Sequence, residues 1–123
     1  MTRITPYLTV DDGDAALRFY ADALGAEVLE RYDDGGRVAH ATLAVGDARF
    51  FVSDEFTEFG AYAPATVGHA TCAVVLAVDD PDEAFRLAVA AGAEAQREVE
   101  EDPGGRSGWV VDPFGHRWNL RSG

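Results

Sequence analysis

Apolar and polar positions along the chain follow two periods, and each occurs twice. From Val10 to Gly25 the stretch VDDGDAALRFYADALG sets Ala16, Phe19, Tyr20 and Ala23 at the i, i+3, i+4, i+7 spacing of one helix face. From Val78 to Gly92, VDDPDEAFRLAVAAG repeats the plan with Ala84, Leu87, Ala88 and Ala91. Both stretches open on Val-Asp-Asp, where a carboxylate can accept hydrogen bonds from the free N–H groups of the first helical turn. Both end at a glycine, Gly25 or Gly92, a residue that reaches the left-handed conformation closing many helices. Two helices and an internal duplication are therefore predicted.

Around each helix the period falls to two. Residues 3–10 (RITPYLTV) read as a strand with Leu8 and Val10 on one face and Thr5, Tyr7 and Thr9 on the other, and Pro6 marks a strand start or a sheet edge. Residues 27–32, 37–45 and 48–53 read as three more strands, joined by DDGG at 33–36 and by Gly46-Asp47. Within 37–45 the alternation puts Ala39, Ala41, Leu43 and Val45 on the apolar face and Val38, His40, Thr42 and Ala44 on the other. The second half follows suit: strand 70–78, helix 81–91 with Pro81 in its first turn, strand 94–99, a DPGG turn, then strands 107–112 and 116–121 around Asp112-Pro-Phe-Gly. Each unit is strand, helix and three strands: module one at 1–54, module two at 70–123, with a connector at 55–69 inside a single domain. The connection carries Phe56, Phe59 and Tyr62, which predicts that it folds back over the protein rather than hanging as a linker.

At 123 residues, neither unit alone would bury much, so the two are expected to share a core or a sheet. An apolar fraction of 47% and a charged fraction of 26% suit a globular protein. No apolar run approaches the length of a membrane span and no basic-then-apolar leader is present, so the expected location is cytoplasmic, with no membrane partner. A net charge of -12 argues against a nucleic-acid partner, since phosphate binding needs clustered Lys and Arg. That charge chiefly keeps a surface soluble, and it is compatible with a cationic ligand. Cys72 is the one cysteine; its place in an apolar strand pattern predicts a buried, unreactive thiol. The glycine-rich pairs in DDGG and DPGG lie between strands, without the helix N-terminus that a phosphate would use.

The segments VDDGDAALRFYADALGAEV, GRVAHATLAVGD, SDEFTEFGAYAP and SGWVVDPFGHRWNL resemble the vicinal oxygen chelate superfamily, the group of glyoxalases, bleomycin resistance proteins and ring-cleaving dioxygenases, and within it the PhnB-like proteins. The resemblance covers nearly the whole chain. It implies an α+β fold of two tandem βαβββ modules that form a cupped mixed sheet, with helices on the outer face, the ligand inside and a homodimer as the usual assembly. Metal enzymes of the superfamily place His and Glu ligands at positions that correspond here to Thr5, Phe51, Ala73 and Asn119. An offset of 68 residues pairs Thr5 with Ala73 and Phe51 with Asn119, in step with the internal repeat. None of the four supplies an imidazole or a carboxylate, and an asparagine carbonyl alone does not hold a divalent ion. No metal and no other cofactor is expected.

On the concave face that the resemblance implies, the alternation collects Tyr7, His40, Thr42, Phe51, Val75, Val111, Asn119 and Arg121, with Trp109 as the approximate counterpart of His40 in module two. Aromatic walls with a few polar handles suit a small organic ligand, planar or cationic. His40 is the one weak candidate for a catalytic role, as an imidazole that could bind a ligand or act as a base. His69 precedes its strand and His116 belongs to the DPFGH turn, so the three histidines are not expected to share an ion. Cys72 falls on the face away from the pocket, and no nucleophile–base pair is predicted. The favoured reading is a metal-independent small-molecule binder, of the drug-sequestering kind that confers antibiotic resistance. The alternative is a metal-dependent lyase, isomerase or dioxygenase with a shifted ligand set, His40 with Glu55 or Glu58 from the connector. A third is a partner-binding subunit with a vestigial cleft.

Overall fold

The computed structural model describes residues 1–123. Its elements run β1 (Tyr7–Val10), α1 (Gly13–Leu24), β2 (Glu27–Asp34), β3 (Arg37–Val45), β4 (Ala48–Asp54), a 3-10 turn (Thr57–Phe59), α2 (Pro64–Val67), β5 (Ala73–Ala77), α3 (Pro81–Ala91), β6 (Glu94–Asp102), β7 (Gly105–Val111) and β8 (Arg117–Arg121). The two aspartates before the long helices act as caps. Asp12 accepts from the Ala15 N–H and Asp80 from the Glu83 N–H, each at 3.1 Å. Gly25 ends α1 at φ 68°, in the left-handed region that only glycine enters without strain.

The strands form two four-stranded mixed sheets, ordered β1-β4-β3-β2 and β5-β8-β7-β6. In each, the first strand of the module pairs parallel with the last, and the remaining pairs are antiparallel. The duplication holds at the level of register: Tyr7 lies opposite Phe51 in the first sheet, and 68 residues on Val75 lies opposite Asn119 in the second. The α+β architecture of two βαβββ units is thus present, with the strands divided into two sheets rather than joined in one.

One face of each sheet carries helices, and these faces share a core. Leu8, Val10, Leu43, Phe50 and Val52 from the first sheet and Val110, Trp118 and Leu120 from the second join Ala16, Phe19, Tyr20 and Ala23 of α1 and Phe85 and Ala88 of α3 in one buried cluster. Phe50 and Trp118 meet edge to face at 5.5 Å between ring centres. Tyr20 packs on both and donates its hydroxyl proton to Asp112. The Asp112 carboxylate also accepts from Trp118 Nε1 and from the N–H groups of Phe114 and His116, each at 2.9 Å. His116 reaches across the modules, Nε2 to the Thr9 carbonyl at 2.7 Å. The halves are therefore bound by buried apolar surface and by a satisfied polar network.

Several local expectations are corrected. β1 starts at Tyr7 rather than at residue 3, because Pro6 has no N–H to donate; its carbonyl still accepts from Phe51 N at 2.9 Å. The first hairpin turns on Gly35-Gly36, both at positive φ (60° and 83°), so β2 extends to Asp34. A register shift between Tyr32 and Asp33 marks an irregularity opposite Val38 and His40, and it reverses the alternation there. Val38, 1% exposed, joins the helix-side core, while Ala39 borders a cavity on the other face. On α3 the buried side chains are Pro81, Phe85 and Ala88, and Leu87 is left exposed. β5 begins at Ala73, so Cys72 stands outside the ladder and is exposed, not buried. No helix is long and apolar enough to cross a membrane.

Candidate functional site

The opposite, helix-free face of the first sheet gathers four residues singled out by the alternation. Tyr7 on β1, Phe51 on β4, and His40 and Thr42 on β3 lie on adjacent strands, and the rings of the first three meet at centre distances of 4.8–5.5 Å in edge-to-face contacts. Tyr32 on β2, opposite His40 in the ladder, stacks on the imidazole at 6.2 Å. The polar atoms form a chain. Tyr7 Oη lies 2.8 Å from His40 Nδ1, His40 Nε2 lies 3.0 Å from Thr42 Oγ1, and Thr42 Oγ1 donates to Glu30 at 3.5 Å. Tyr7 is nevertheless about half exposed (51%). Partial burial holds its phenol above the ordinary tyrosine range, and a hydrogen bond from Ser53 offsets part of that, so the group is a neutral hydroxyl at physiological pH.

Beside this cluster the connector builds a wall. Glu55 ties it down by accepting from Ala63 N at 3.1 Å and from Thr66 Oγ1 at 2.8 Å, and a Phe56–Ala61 bridge closes the loop between them. Arg37 clamps it from β3: its guanidinium lies 3.9 Å from the Phe56 ring centre, 3.3 Å from the Glu55 carbonyl and 3.7 Å from the Glu58 carboxylate. The result is a cavity of about 580 Å³ between Tyr7, Thr9 and Ser53 on the sheet and Phe56 and Phe59 on the connector, with Asp34 as its one charged lining residue. The expectation that the aromatic connector folds back thus has a physical form, with Phe59 left exposed at the rim.

The other five sequence-predicted residues lie on the second sheet and are differently placed, with Val111 half-buried opposite Arg117 in the ladder. Val75 is exposed. Trp109 lies beneath the Arg117 guanidinium at 4.5 Å. Asn119 is 3% exposed and donates to the Gly108 carbonyl at 3.2 Å. Arg121 pairs with Asp102 at 3.5 Å. The aromatic contacts and hydrogen bonds of the two groups stay within their own sheets, while Tyr7 and Val75 line one cavity of about 580 Å³. His40 and Trp109 are not counterparts. Phe51 faces Thr42 and Asn119 faces Trp109, which makes Trp109 the equivalent of Thr42 and puts Ser107 in the place of His40. The longer loop of module two, Asp112 to His116 against Gly46-Asp47, accounts for the displacement.

As a metal site the arrangement does not fit. Thr5, Phe51 and Ala73 present no donor of the required kind, Asn119 is committed to a backbone carbonyl, and no three His, Cys, Asp or Glu side chains converge anywhere in the chain. Glu55 and Glu58, the carboxylates proposed to join His40, are spent on the connector and on Arg37. Sequence reasoning missed Tyr32, Asp34 and Ser53 as neighbours of the site. The Gly35-Gly36 turn sets β2 against β3 and could have placed Tyr32 within one residue of His40.

Comparison with known proteins places the fold. The chain is 33% identical over 122 residues to an uncharacterized protein of Mycobacterium tuberculosis strain H37Rv, covering 95% of this chain and 72% of the relative. Among solved structures, TioX from Micromonospora sp. ML1 superposes with a TM-score of 0.76 at 30% identity, covering 99% of this chain and 98% of that one. A bleomycin resistance determinant encoded on the transposon Tn5 shares the fold, with a TM-score of 0.70 at 21% identity and coverage of 99% and 98%. The family model that matches residues 2–120 is described as the Glyoxalase/Bleomycin resistance protein/Dioxygenase superfamily, and the chain belongs to that superfamily.

Proposed function

We propose that the chain is a small-molecule binding protein that holds a flat organic ligand against Tyr7, His40 and Phe51 without a resident metal, sequestering it rather than transforming it. The observation that carries this reading is the half-exposed aromatic cluster on the open face of the first sheet, with polar atoms in reach and no convergent metal donors. Ring faces and edges bind planar molecules through area and quadrupole, which requires affinity and no reacting group. The fold shared with a bleomycin resistance determinant supports drug sequestration as the proposed use, with the cytoplasm as its proposed location.

The cup itself is proposed to form between two copies. A lone chain leaves Tyr7 51% and Val75 60% exposed on separate sheets, and a homodimer that sets the first sheet of one copy against the second sheet of its partner would cover both. The test is calorimetric titration with metal-free bleomycin and with ethidium, in chelator-treated buffer, beside light scattering of the free protein. Saturable binding of either compound, unaffected by chelator and weakened at least tenfold in Phe51→Ala, is expected, with a dimer in solution. Binding that appears only when Zn(II), Ni(II), Mn(II) or Fe(II) is added would overturn the metal-free reading and favour the enzyme.

A further inference from the structure

The hydrogen-bond chain across the first sheet has a direction, and the direction fixes what Tyr7 can offer a ligand. Thr42 Oγ1 sits 3.5 Å from the Glu30 carboxylate, which only accepts, and 3.0 Å from His40 Nε2. With the Thr42 proton turned to Glu30, Oγ1 accepts from Nε2 and the imidazole carries its proton there. The bare Nδ1 in turn accepts the phenolic proton of Tyr7 at 2.8 Å. Every donor points toward Glu30. With its proton committed to His40 and one lone pair taken by the Ser53 hydroxyl, the Tyr7 oxygen keeps only acceptor capacity on its open side, although a phenol in water would offer both a donor and an acceptor.

A second, independent feature agrees in sign. The cavity of about 580 Å³ that Tyr7 borders holds one charged residue, Asp34, and its polar lining otherwise consists of Thr9 and Ser53 beneath the rings of Phe56 and Phe59. Arg37, opposite Asp34 in the ladder, is turned onto the connector by the Phe56 ring and Glu58.

We infer that the Tyr7 cavity is a subsite for a planar cation whose N–H donors seat against the Tyr7 oxygen and the Asp34 carboxylate, an aryl amidinium or guanidinium in chemical class, and that His40 is the positioning residue that keeps Tyr7 an acceptor. This rests on the binding role proposed above and specifies the polarity of its ligand. It also locates the subsite within one chain, since the sheet and the connector complete it without a second copy.

The test uses two isosteric probes, 2-naphthamidinium and 2-naphthoate, titrated by calorimetry at 0.15 M and 0.5 M salt so that the long-range field of a protein of charge -12 is screened in one arm. The amidinium is expected to bind at least tenfold more tightly than the carboxylate at both salt concentrations. Tyr7→Phe removes the acceptor without altering net charge and should cut that ratio about fivefold. His40→Phe, also neutral, frees the phenolic proton, so amidinium weakens while naphthoate gains, a crossed response that loss of packing alone would not give. Asp34→Asn should weaken the amidinium only. Equal binding of the two probes, or a ratio untouched by Tyr7→Phe and His40→Phe, would overturn the inference and leave the binding role standing. Failure of both naphthyl probes together with ethidium and bleomycin would remove the binding role as well.

Discussion

The two sheets share one plan on their helix sides and part company on their open faces. On the helix side the repeat keeps apolar residues in register: Phe50 with Trp118, Val52 with Leu120, Leu43 with Val110, all buried in the same cluster. On the open side, Tyr7, His40 and Phe51 correspond to Val75, Ser107 and Asn119. The first set makes ring contacts and stays partly exposed. In the second, Val75 stays exposed but the polar groups are closed off: Asn119 donates to Gly108, Ser107 donates to Asp102 at 2.8 Å, and Arg121 and Arg117 lie on Asp102 and Trp109. A shared core constrains both halves equally, because each must present apolar surface to the other. An open face is under no such demand, so one half can be aromatic and receptive while the other satisfies its polar atoms internally.

The comparison breaks most visibly in the core. Trp118→Ala and Phe50→Ala should each lower unfolding free energy by about 3–5 kcal/mol in urea titrations, since each removes a large side chain from between the modules. Phe51→Ala, one residue along β4 but on the open face, should cost under about 1 kcal/mol in the same assay. Near-equal losses for Phe50→Ala and Phe51→Ala would mean that the open face is a second core rather than a site.

The junction between the halves has its own signature. Burial and the neighbouring Asp112 carboxylate push the Tyr20 phenol well above the ordinary tyrosine range. Because the folded pKa exceeds the unfolded one, the associated stability is fully present below about pH 10 and is lost as pH rises beyond it. Thermal melts between pH 8 and 11.5 should show this fall, and Tyr20→Phe should remove that component of it. Asp112→Asn should cost roughly 1–3 kcal/mol, because the network of four donors loses its charged acceptor.

The smallest effect belongs to the second sheet. Asp102 is held below the usual aspartate range by the Ser107 hydroxyl and the Gly104 N–H. Its share of stability is present above an ordinary aspartate pKa and disappears as pH falls through the lowered one. Asp102→Asn should flatten a small part of the acid limb of the melt while leaving ligand binding unchanged.

How much of this was legible in the sequence follows the same division. Helix faces and caps were readable because Asp12, Asp80, Gly25 and Gly92 act through local backbone chemistry. The cluster of Tyr7, His40, Thr42 and Phe51 was readable because period-two alternation survives along β1 and β4 and in β3 beyond Ala39. Val38 was misplaced because an irregularity between β2 and β3 resets the alternation, and nothing in RVAHATLAV announces it. Cys72 was misplaced because an apolar run does not say where its ladder begins, and residues 68–72 bend before β5 starts. The Asp34 cavity depends on how the connector folds, which is a tertiary outcome of Glu55 and Arg37 rather than a local pattern.

The measurement that bears most directly on the central claim is a titration of ¹⁵N-labelled protein with ethidium, followed by amide and aromatic NMR shifts. The open face of the first sheet predicts the largest changes at Tyr7, His40, Phe51 and Ser53, with Trp109 responding only where a partner copy completes the cup. Shifts confined to the groove between α3 and β6, around Phe85 and Val99, with Tyr7, His40 and Phe51 unmoved, would contradict it.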